Sequence, residues 1–173
     1  RVLFRSVLEQ REAMPGVPVA VGADRRRAIT DLLAGVPGVD ALVLDDGFQH
    51  RTVARDFDLV LVDATRPALD GPLLPAGWLR EPATGLRRAD AVVITRAASV
   101  DAALAARVES LHGRSPIAWT SHAWSGLRVL HARDDRGEAV AWLRGRRVAL
   151  WAGVGNPKAL ESQALEHGAL IVQ

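Results

Sequence analysis

The amino-acid sequence predicts an α/β protein with a mainly parallel sheet. Several short apolar runs are continuous rather than alternating, which is typical of strands covered on both faces. Helical segments alternate with these runs along the chain, as they do in βαβ units. A hydrophobic fraction of 49% in 173 residues is enough for one full core or two small ones.

The first predicted elements are a strand and a helix. Residues 17–22, VPVAVG, form a β-branched run that ends at a glycine. Residues 23–35 carry apolar positions at helical spacing, with Asp24 as a capping residue and Gly35 as a natural stop. We therefore expect a buried strand that leads into a capped helix.

Three more apolar runs predict the remaining strands of the first half. They are VDALVLDD (39–46), FDLVLVDA (57–64) and ADAVVITR (89–96). The segment 65–89 between the last two is rich in proline and glycine and is too long for a plain connection. We expect a functional loop there, with a helical turn near 84–89.

The second half begins with a predicted helix, after which the sequence pattern changes to an alternating one. Residues 99–113 are rich in alanine and leucine, with Ser99 as the expected N-cap and Gly113 as the stop. The alternating pattern that follows predicts a β-ribbon over 115–132, with a turn at Ser125-Gly126. The expected elements after it are a polar turn at 132–139, a strand at 146–153, a helix at 156–168 and a strand at 169–173.

Composition excludes several classes of protein. The chain has no cysteine, which rules out disulfides and thiolate metal sites. It has no run of about 18 consecutive apolar residues, so we expect no segment that spans a bilayer. The formal net charge is only +2, which gives a nearly balanced surface and predicts no nucleic-acid partner.

The stretch ALVLDDGFQHR (41–51) carries the clearest chemical signal. An apolar run leads into Asp45 and Asp46, and Gly47 permits the chain to turn so that both carboxylates can converge. Mg²⁺ takes one or two protein carboxylates and is completed by water and substrate phosphates. Gln49 and His50 add an amide and an imidazole. Spacing alone leaves an alternative to a metal site, in which one of the two aspartates is a helix N-cap and the other is a surface carboxylate.

A second interpretation uses a third carboxylate. Asp63 ends the next predicted strand, so Asp45, Asp46 and Asp63 could form the site of a Mg²⁺-dependent phosphohydrolase or receiver-like module. The position of Lys158, the only lysine, argues against a receiver. The glycine-rich segment AGVGNP (152–157) could present amide groups to an anion, although a tight turn before a helix is the favoured interpretation.

The order of motifs resembles one family. VLDDGFQHR, DLVLVDA, LLPAGWLREP, RADAVVITR and AGVGNP follow one another in a pattern similar to the tetraacyldisaccharide 4′-kinases, the lipid A kinases of Gram-negative bacteria. The resemblance implies transfer of the ATP γ-phosphate to the 4′-hydroxyl of a tetraacyldisaccharide 1-phosphate, with Mg²⁺, to give lipid IVA. It also implies a peripheral protein at the cytoplasmic face of the bacterial inner membrane, with a lipid disaccharide as substrate and no obligate protein partner.

The same resemblance implies an architecture. It is a P-loop-kinase-like core joined by a two-stranded linker to a smaller C-terminal α/β lobe. The expected parts are a partial kinase core at 1–114, the linker region at 115–139 and a partial lobe at 140–173. The family's P-loop would lie upstream and its Asp-His-His stretch beyond the last residue. We therefore expect these 173 residues alone to bind ATP poorly and to transfer no phosphate.

The resemblance assigns roles to the acidic motif. Asp45 and Asp46 match a Walker-B-like acidic pair and would hold the metal. Asp46, Gln49 and His50 would form the catalytic part of the site beside the phosphates.

Three further residues would bind the cofactor by resemblance. Arg25 matches a basic position near the active site, with an exposed helical arginine as its alternative. Arg80 and Glu81 match a loop at the mouth of the site, where Arg80 could meet phosphate in a bidentate manner. A surface pair between Arg80 and Glu81 is the alternative. Trp78 stands where the family usually has proline.

Overall fold

The chain forms a mixed α/β structure. A computed structural model describes residues 14–66, 69–131, 134–152 and 157–172. It divides into two compact units, of which one ends at Thr120 and the other begins at Ser121. The helices are α1 (Arg25–Gly35), α2 (Ala102–His112) and α3 (Pro157–Glu166), with 3-10 helices at Ala83–Arg88 and Val140–Leu143. The strands are β1 (Leu59–Asp63), β2 (Ala91–Thr95), β3 (Ala118–Trp119), β4 (Leu127–His131), β5 (Asp134–Glu138), β6 (Arg147–Val148) and β7 (Leu170–Ile171).

A three-stranded parallel sheet organises the first unit. Its strand order is β1-β2-β3, and β1 pairs with β2 from Leu59 opposite Ala91 to Asp63 opposite Thr95. Strand β3 joins the other side of β2, where Ala118 lies opposite Val93. The two strands predicted at 57–64 and 89–96 are therefore confirmed, and so is their parallel arrangement. The expected helical turn near 84–89 is the 3-10 helix before β2.

The core of this unit forms around β2 and α2. Val92, Ile94 and Val108 are the largest fully buried side chains. The cluster around them also contains Val62, Leu69, Leu86, Ala89, Ala97, Leu104 and Leu111. Helix α2 thus covers a continuous apolar strand, which explains why β2 reads as an unbroken hydrophobic run.

Capping residues fix the ends of the helices. The Asp24 carboxylate accepts hydrogen bonds from the backbone amides of Arg26 and Arg27, as predicted for the start of α1. For α2 the predicted N-cap Ser99 is wrong, because Asp101 accepts from the amides two and three residues ahead at 2.9 and 3.1 Å. Gly113 ends α2 with a φ of 91°, a left-handed conformation that glycine adopts without steric cost.

Two predicted strands do not form. Residues 17–22 and 39–46 run without helix or strand pairing, and Val43 is 95% exposed. An apolar run shows that a segment can be buried, but a strand also needs a neighbour that accepts its backbone hydrogen bonds. Neither segment has such a neighbour among the described residues, so the expectation of buried strands there is wrong.

The second unit contains a ribbon and a short βαβ arrangement. Strands β4 and β5 are antiparallel, with Leu127 opposite Glu138. The predicted ribbon is thus real but displaced: Ala118–Trp119 joins the parallel sheet, Ser125-Gly126 is not the ribbon turn, and most of the expected polar turn at 132–139 is β5. The predicted ribbon strands lie one element too early because an alternating pattern indicates that a segment is a strand but does not indicate which strand it pairs with.

The strands predicted at 146–153 and 169–173 are present as the shorter β6 and β7, and the helix predicted at 156–168 is α3. Strands β6 and β7 are parallel, and α3 connects them. Leu143, Ala164 and Ala169 form the buried centre of this unit. Part of the glycine-rich segment at 152–157 lies outside the described residues. Within the described part of the chain, no helix is long and apolar enough to cross a membrane.

Removal of two methyl groups from the centre of β2 should destabilise the first unit. Val92 is 0% exposed, so Val92→Ala should lower the free energy of unfolding by about 1.5–3 kcal/mol through lost burial and a residual cavity. Val100→Ala is the matched control, because Val100 is 68% exposed and should change stability by less than about 0.5 kcal/mol. Urea unfolding followed by circular dichroism measures both. Equal losses for the two variants would contradict the placement of Val92 in the core.

Candidate active site

The acidic pair lies on a tight turn. Asp46 has a φ of 55°, in the left-handed region that aspartate tolerates better than most residues. The next residue, Gly47, is buried, and a Cβ atom there would lie 2.7 Å from the Cβ of Leu44. Only glycine fits at this close approach. The turn expected from the Asp45-Asp46-Gly47 sequence is therefore present, and it places two adjacent carboxylates at the surface.

Arg55 holds this turn from below. Its Nη1 donates to the backbone carbonyls of Gly47 at 3.0 Å and His50 at 2.8 Å. Its Nε lies 2.8 Å from a carboxylate oxygen of Asp58, the residue before β1, and both side chains are largely buried. The acidic turn is thus tied to the start of the sheet by one guanidinium group.

An arginine from the loop before the 3-10 helix contacts the acidic pair at Asp46. Arg80 Nη1 donates to Asp46 Oδ2 at 2.5 Å, and the two side chains are 56% and 61% exposed. The hydrogen bond from Arg80 to Asp46 raises the pKa of the arginine above its usual value. An ion pair this exposed contributes little to stability, so both groups stay accessible to other ligands. The surface pair of Arg80 with Glu81, left open by the sequence, does not form.

Glu81 has different partners. Arg88 Nη2 donates to one of its carboxylate oxygens at 3.0 Å, Arg88 Nη1 lies 2.9 Å from the other, and Gln49 Nε2 donates to the carboxylate at 2.9 Å. Arg51 lies 3.7 Å from the same carboxylate. The hydrogen bond from Arg88, supported by Gln49 and the charge of Arg51, lowers the pKa of Glu81 against the opposing effect of burial. Glu81 is therefore an ionised cross-link between its own loop, the acidic motif and the 3-10 helix.

An open groove of about 1570 Å³ brings most of the predicted site residues together. Its lining includes Asp45, Asp46, Gln49, Asp63, Arg80 and Glu81. Arg25 does not line it; its side chain donates to the carbonyl of Gly22, three residues earlier. His50 does not line it either and is half-buried behind the turn, where its backbone amide donates to the carbonyl of Gly47.

Asp63 is engaged elsewhere, at the carboxyl end of β1. Thr65 donates to one of its oxygens from both amide and hydroxyl, at 2.9 and 2.6 Å, and Arg96 Nη1 donates to the other at 2.7 Å. Partial burial favours the neutral acid, but the bonds from Thr65, together with Arg96, outweigh it and lower the pKa of Asp63.

The three-carboxylate alternative is therefore not supported. Among the described residues, no group of three or more histidine, cysteine, aspartate or glutamate side chains is placed to hold a metal ion. Asp63 is directed towards Thr65 and Arg96 rather than towards Asp45 and Asp46. The phosphohydrolase or receiver-like interpretation required the three carboxylates to converge, and the structure does not support it.

Three contributors to the site carry no distinctive signal in the sequence. Arg88 follows Arg87 in the predicted helical turn, and spacing does not tell which of them reaches Glu81. Arg55 lies in a segment without periodicity. Gly85 matters for contact rather than for backbone conformation, because a Cβ there would lie 2.6 Å from Glu81 Oε2. Such contacts depend on how distant segments pack.

The fold and this groove define an α/β protein with an acidic turn facing an arginine-bearing loop. A family model described as tetraacyldisaccharide-1-P 4'-kinase matches residues 7–173, and the chain belongs to this family. A tetraacyldisaccharide 4'-kinase of Anaeromyxobacter dehalogenans (strain 2CP-1 / ATCC BAA-258) is 44% identical over 83% of the chain. Proteins of the same name from Geobacter metallireducens (strain ATCC 53774 / DSM 7210 / GS-15) and Syntrophus aciditrophicus (strain SB) are 36% and 37% identical over 90% and 93%.

The matches cover only part of each relative. The chain spans 38% of the Anaeromyxobacter protein, 44% of the Geobacter protein and 45% of the Syntrophus protein. No solved structure matches the chain. The resemblance inferred from DDGFQH and LREP is confirmed at the level of the family.

The ionised state of Glu81 should contribute stability with a defined pH dependence. Because its pKa is lowered in the folded state, this contribution is fully present above the unfolded-state value of about 4.3 and is lost as pH falls below it. Wild type should therefore exceed Glu81→Gln in free energy of unfolding at pH 6, and the difference should shrink between about pH 4 and pH 3.

Urea unfolding at a series of pH values measures this difference. Glu161→Gln is the matched control, because Glu161 is an exposed residue of α3. A difference between wild type and Glu81→Gln that stays constant down to pH 3, or that matches the control, would contradict the role of the Arg88 contact.

Proposed function

We propose that the gene product carrying these residues phosphorylates the 4′-hydroxyl of tetraacyldisaccharide 1-phosphate at the expense of ATP, forming lipid IVA. The observation that carries the proposal is the family match over residues 7–173, which includes both sides of the groove. Membership of a kinase family implies the use of ATP. The relatives' shared name supplies the class of acceptor, a tetraacylated disaccharide.

The acidic turn is the proposed metal site. Asp45 and Asp46 offer carboxylate oxygens from adjacent positions of an exposed turn at the groove. Mg²⁺ commonly uses one or two protein carboxylates and completes its shell with water and phosphate oxygens, so this donor set fits the ion. When bound, Mg²⁺ would neutralise charge on the phosphates. In the structure the Arg80 guanidinium group forms an ion pair with Asp46. This contact supports the proposal that the negatively charged turn binds a cation.

The remaining residues act on the phosphates in this proposal. Arg80 has an exposed planar guanidinium group at the groove, suited to bidentate contact with a phosphate. Asp46, Gln49 and His50 are the proposed catalytic residues; Gln49 is oriented by its bond to Glu81, and the His50 side chain would have to turn towards the groove, which it does not line. Arg25 and Glu81 are retained as proposed cofactor-binding residues. Arg25 would have to exchange its bond to Gly22 for such a contact.

The larger organisation is part of the same proposal. Residues 1–114 would belong to a P-loop-kinase-like core, 115–139 to a linker and 140–173 to a C-terminal lobe. The division at Thr120 and the antiparallel ribbon of β4 and β5 support this arrangement. A lipid acceptor made in bacterial membranes supports a peripheral location at the cytoplasmic face of the inner membrane.

Removal of either carboxylate should abolish the reaction. In the gene product, Asp45→Asn and Asp46→Asn should each lower ATP-dependent 4′-phosphorylation by more than about 100-fold, because charge stabilisation at the phosphates is lost. Transfer of radiolabel from [γ-³²P]ATP to the lipid disaccharide measures this. Asp31→Asn is the matched control, since Asp31 lies exposed on α1, 3.8 Å from Arg27. Wild-type turnover in both site variants, with unchanged folding, would refute the metal site.

A further inference from the structure

Arg88 connects two loops that contain proposed site residues. It ends the 3-10 helix Ala83–Arg88, and its guanidinium group contacts both carboxylate oxygens of Glu81 at 2.9 and 3.0 Å. Its Cζ atom also lies 4.5 Å from the ring centroid of Phe48. Phe48 stands between Gly47 and Gln49 in the acidic motif. One arginine thus holds the loop of Glu81 and the motif of Gln49 at the same time.

The two loops meet through two separate polar contacts. Glu81 accepts from Gln49 at 2.9 Å, across 32 positions of sequence. Arg80 donates to Asp46 across 34 positions. Because Arg80 and Glu81 are adjacent, a fixed Glu81 also limits where the Arg80 guanidinium can go. Arg88 is the group that fixes Glu81.

Exposure distinguishes the roles of these two contacts. The side chains of Glu81 and Arg88 are 20% and 32% exposed, about half the exposure of Arg80 and Asp46. Arg88 does not line the groove, whereas Arg80 and Glu81 do. Arg88 therefore lies behind the loop surface that a ligand would meet, Glu81 reaches from Arg88 to that surface, and the pair of Arg80 with Asp46 lies on it.

Gly85 gives independent support for a built contact. A Cβ atom at this position would lie 2.6 Å from Glu81 Oε2 and 3.0 Å from Arg88 Nη1. Its backbone amide donates to the carbonyl of Pro82 at 2.8 Å, so the helix passes tightly over the ion pair. A side chain at position 85 would displace one of the two charged groups.

From these contacts we infer that Arg88 is a positioning residue of the active site. It orients Glu81, and through Glu81 it sets the side chains of Gln49 and Arg80 against the acidic turn. It does not itself touch the nucleotide or the lipid. The inference rests on the proposed function, because it assigns a role in that reaction to a residue outside the groove.

The first part of the test detects the contact without any activity. The gene product is labelled with ¹⁵N-glutamine, and the exchange of the Gln49 side-chain amide protons with water is measured. Arg88→Gln should accelerate this exchange by about tenfold, because the hydrogen bond from Gln49 to Glu81 is weakened. Arg87→Gln is the matched control, because Arg87 is its exposed neighbour on the same 3-10 helix, and it should leave exchange unchanged. Gly85→Ala, which retains every charge, should reproduce the effect of Arg88→Gln.

The second part measures kinetics with ATP and the lipid disaccharide. Arg88→Gln and Gly85→Ala should lower kcat by about 10–100-fold, the range seen when a residue that orients a ligand-binding group is lost. The KM for ATP should change less than kcat, because Arg80 is still present. The double variant of Glu81→Gln with Arg88→Gln should be no worse than the more impaired single variant, since both remove one contact. Arg88→Lys should restore part of kcat.

Each outcome decides the proposal. Faster Gln49 exchange together with a lower kcat and non-additive singles supports it, and Gly85→Ala carries the same test if Arg88→Gln does not fold. Unchanged exchange would overturn the contact. If Gln49 exchanges faster in Arg88→Gln but the kcat of Arg88→Gln equals that of the Arg87→Gln control, the positioning role is overturned. The proposed function is then unaffected. A wild-type protein that exchanges as expected but transfers no phosphate would overturn the proposed function and the positioning role with it.

Discussion

The Glu81 carboxylate is the interaction on which the arrangement of the site depends. It accepts a hydrogen bond from Arg88, with a second ion-pair contact to the same guanidinium group, and a hydrogen bond from Gln49, so it joins its own loop and the following 3-10 helix to the distant acidic motif. A partly buried carboxylate with one partner removed would keep its desolvation cost and lose its compensation. Arg88 and Gln49 therefore stabilise each other's positions through Glu81. Asp46 and Arg80 lie in register across the groove because the loop behind Arg80 is held in this way.

The parallel sheet supplies the rigid support beneath this network. Val92 and Ile94 of β2 are fully buried, and β1 pairs with β2 along its whole length. The acidic turn is anchored to the residue before β1 through Arg55, and Arg96 holds Asp63 where β1 ends. Arginines therefore tie the loops to both ends of β1, the strand that pairs with the buried β2.

Sequence reasoning identified the elements whose signal is local. Strands β1 and β2, the start of α1 and the end of α2 follow from apolar runs, a capping aspartate and a glycine. It was wrong for 17–22 and 39–46, because an apolar run does not say whether a partner strand is present. The turn at Asp45-Asp46-Gly47 was predictable from glycine chemistry. The partners of Arg80 and Glu81 could not be predicted from the sequence. Each partner lies more than five positions away and is determined by how the loops pack.

The left-handed backbone of Asp46, with its φ of 55°, limits what evolution or an engineer could place there. A β-branched or bulky residue would be strained in this conformation, and glycine would relax the backbone but delete the oxygens. Asparagine would keep the shape and give up the charge. The backbone conformation and the need for a negative charge each limit which amino acids are tolerated at position 46, and aspartate satisfies both requirements.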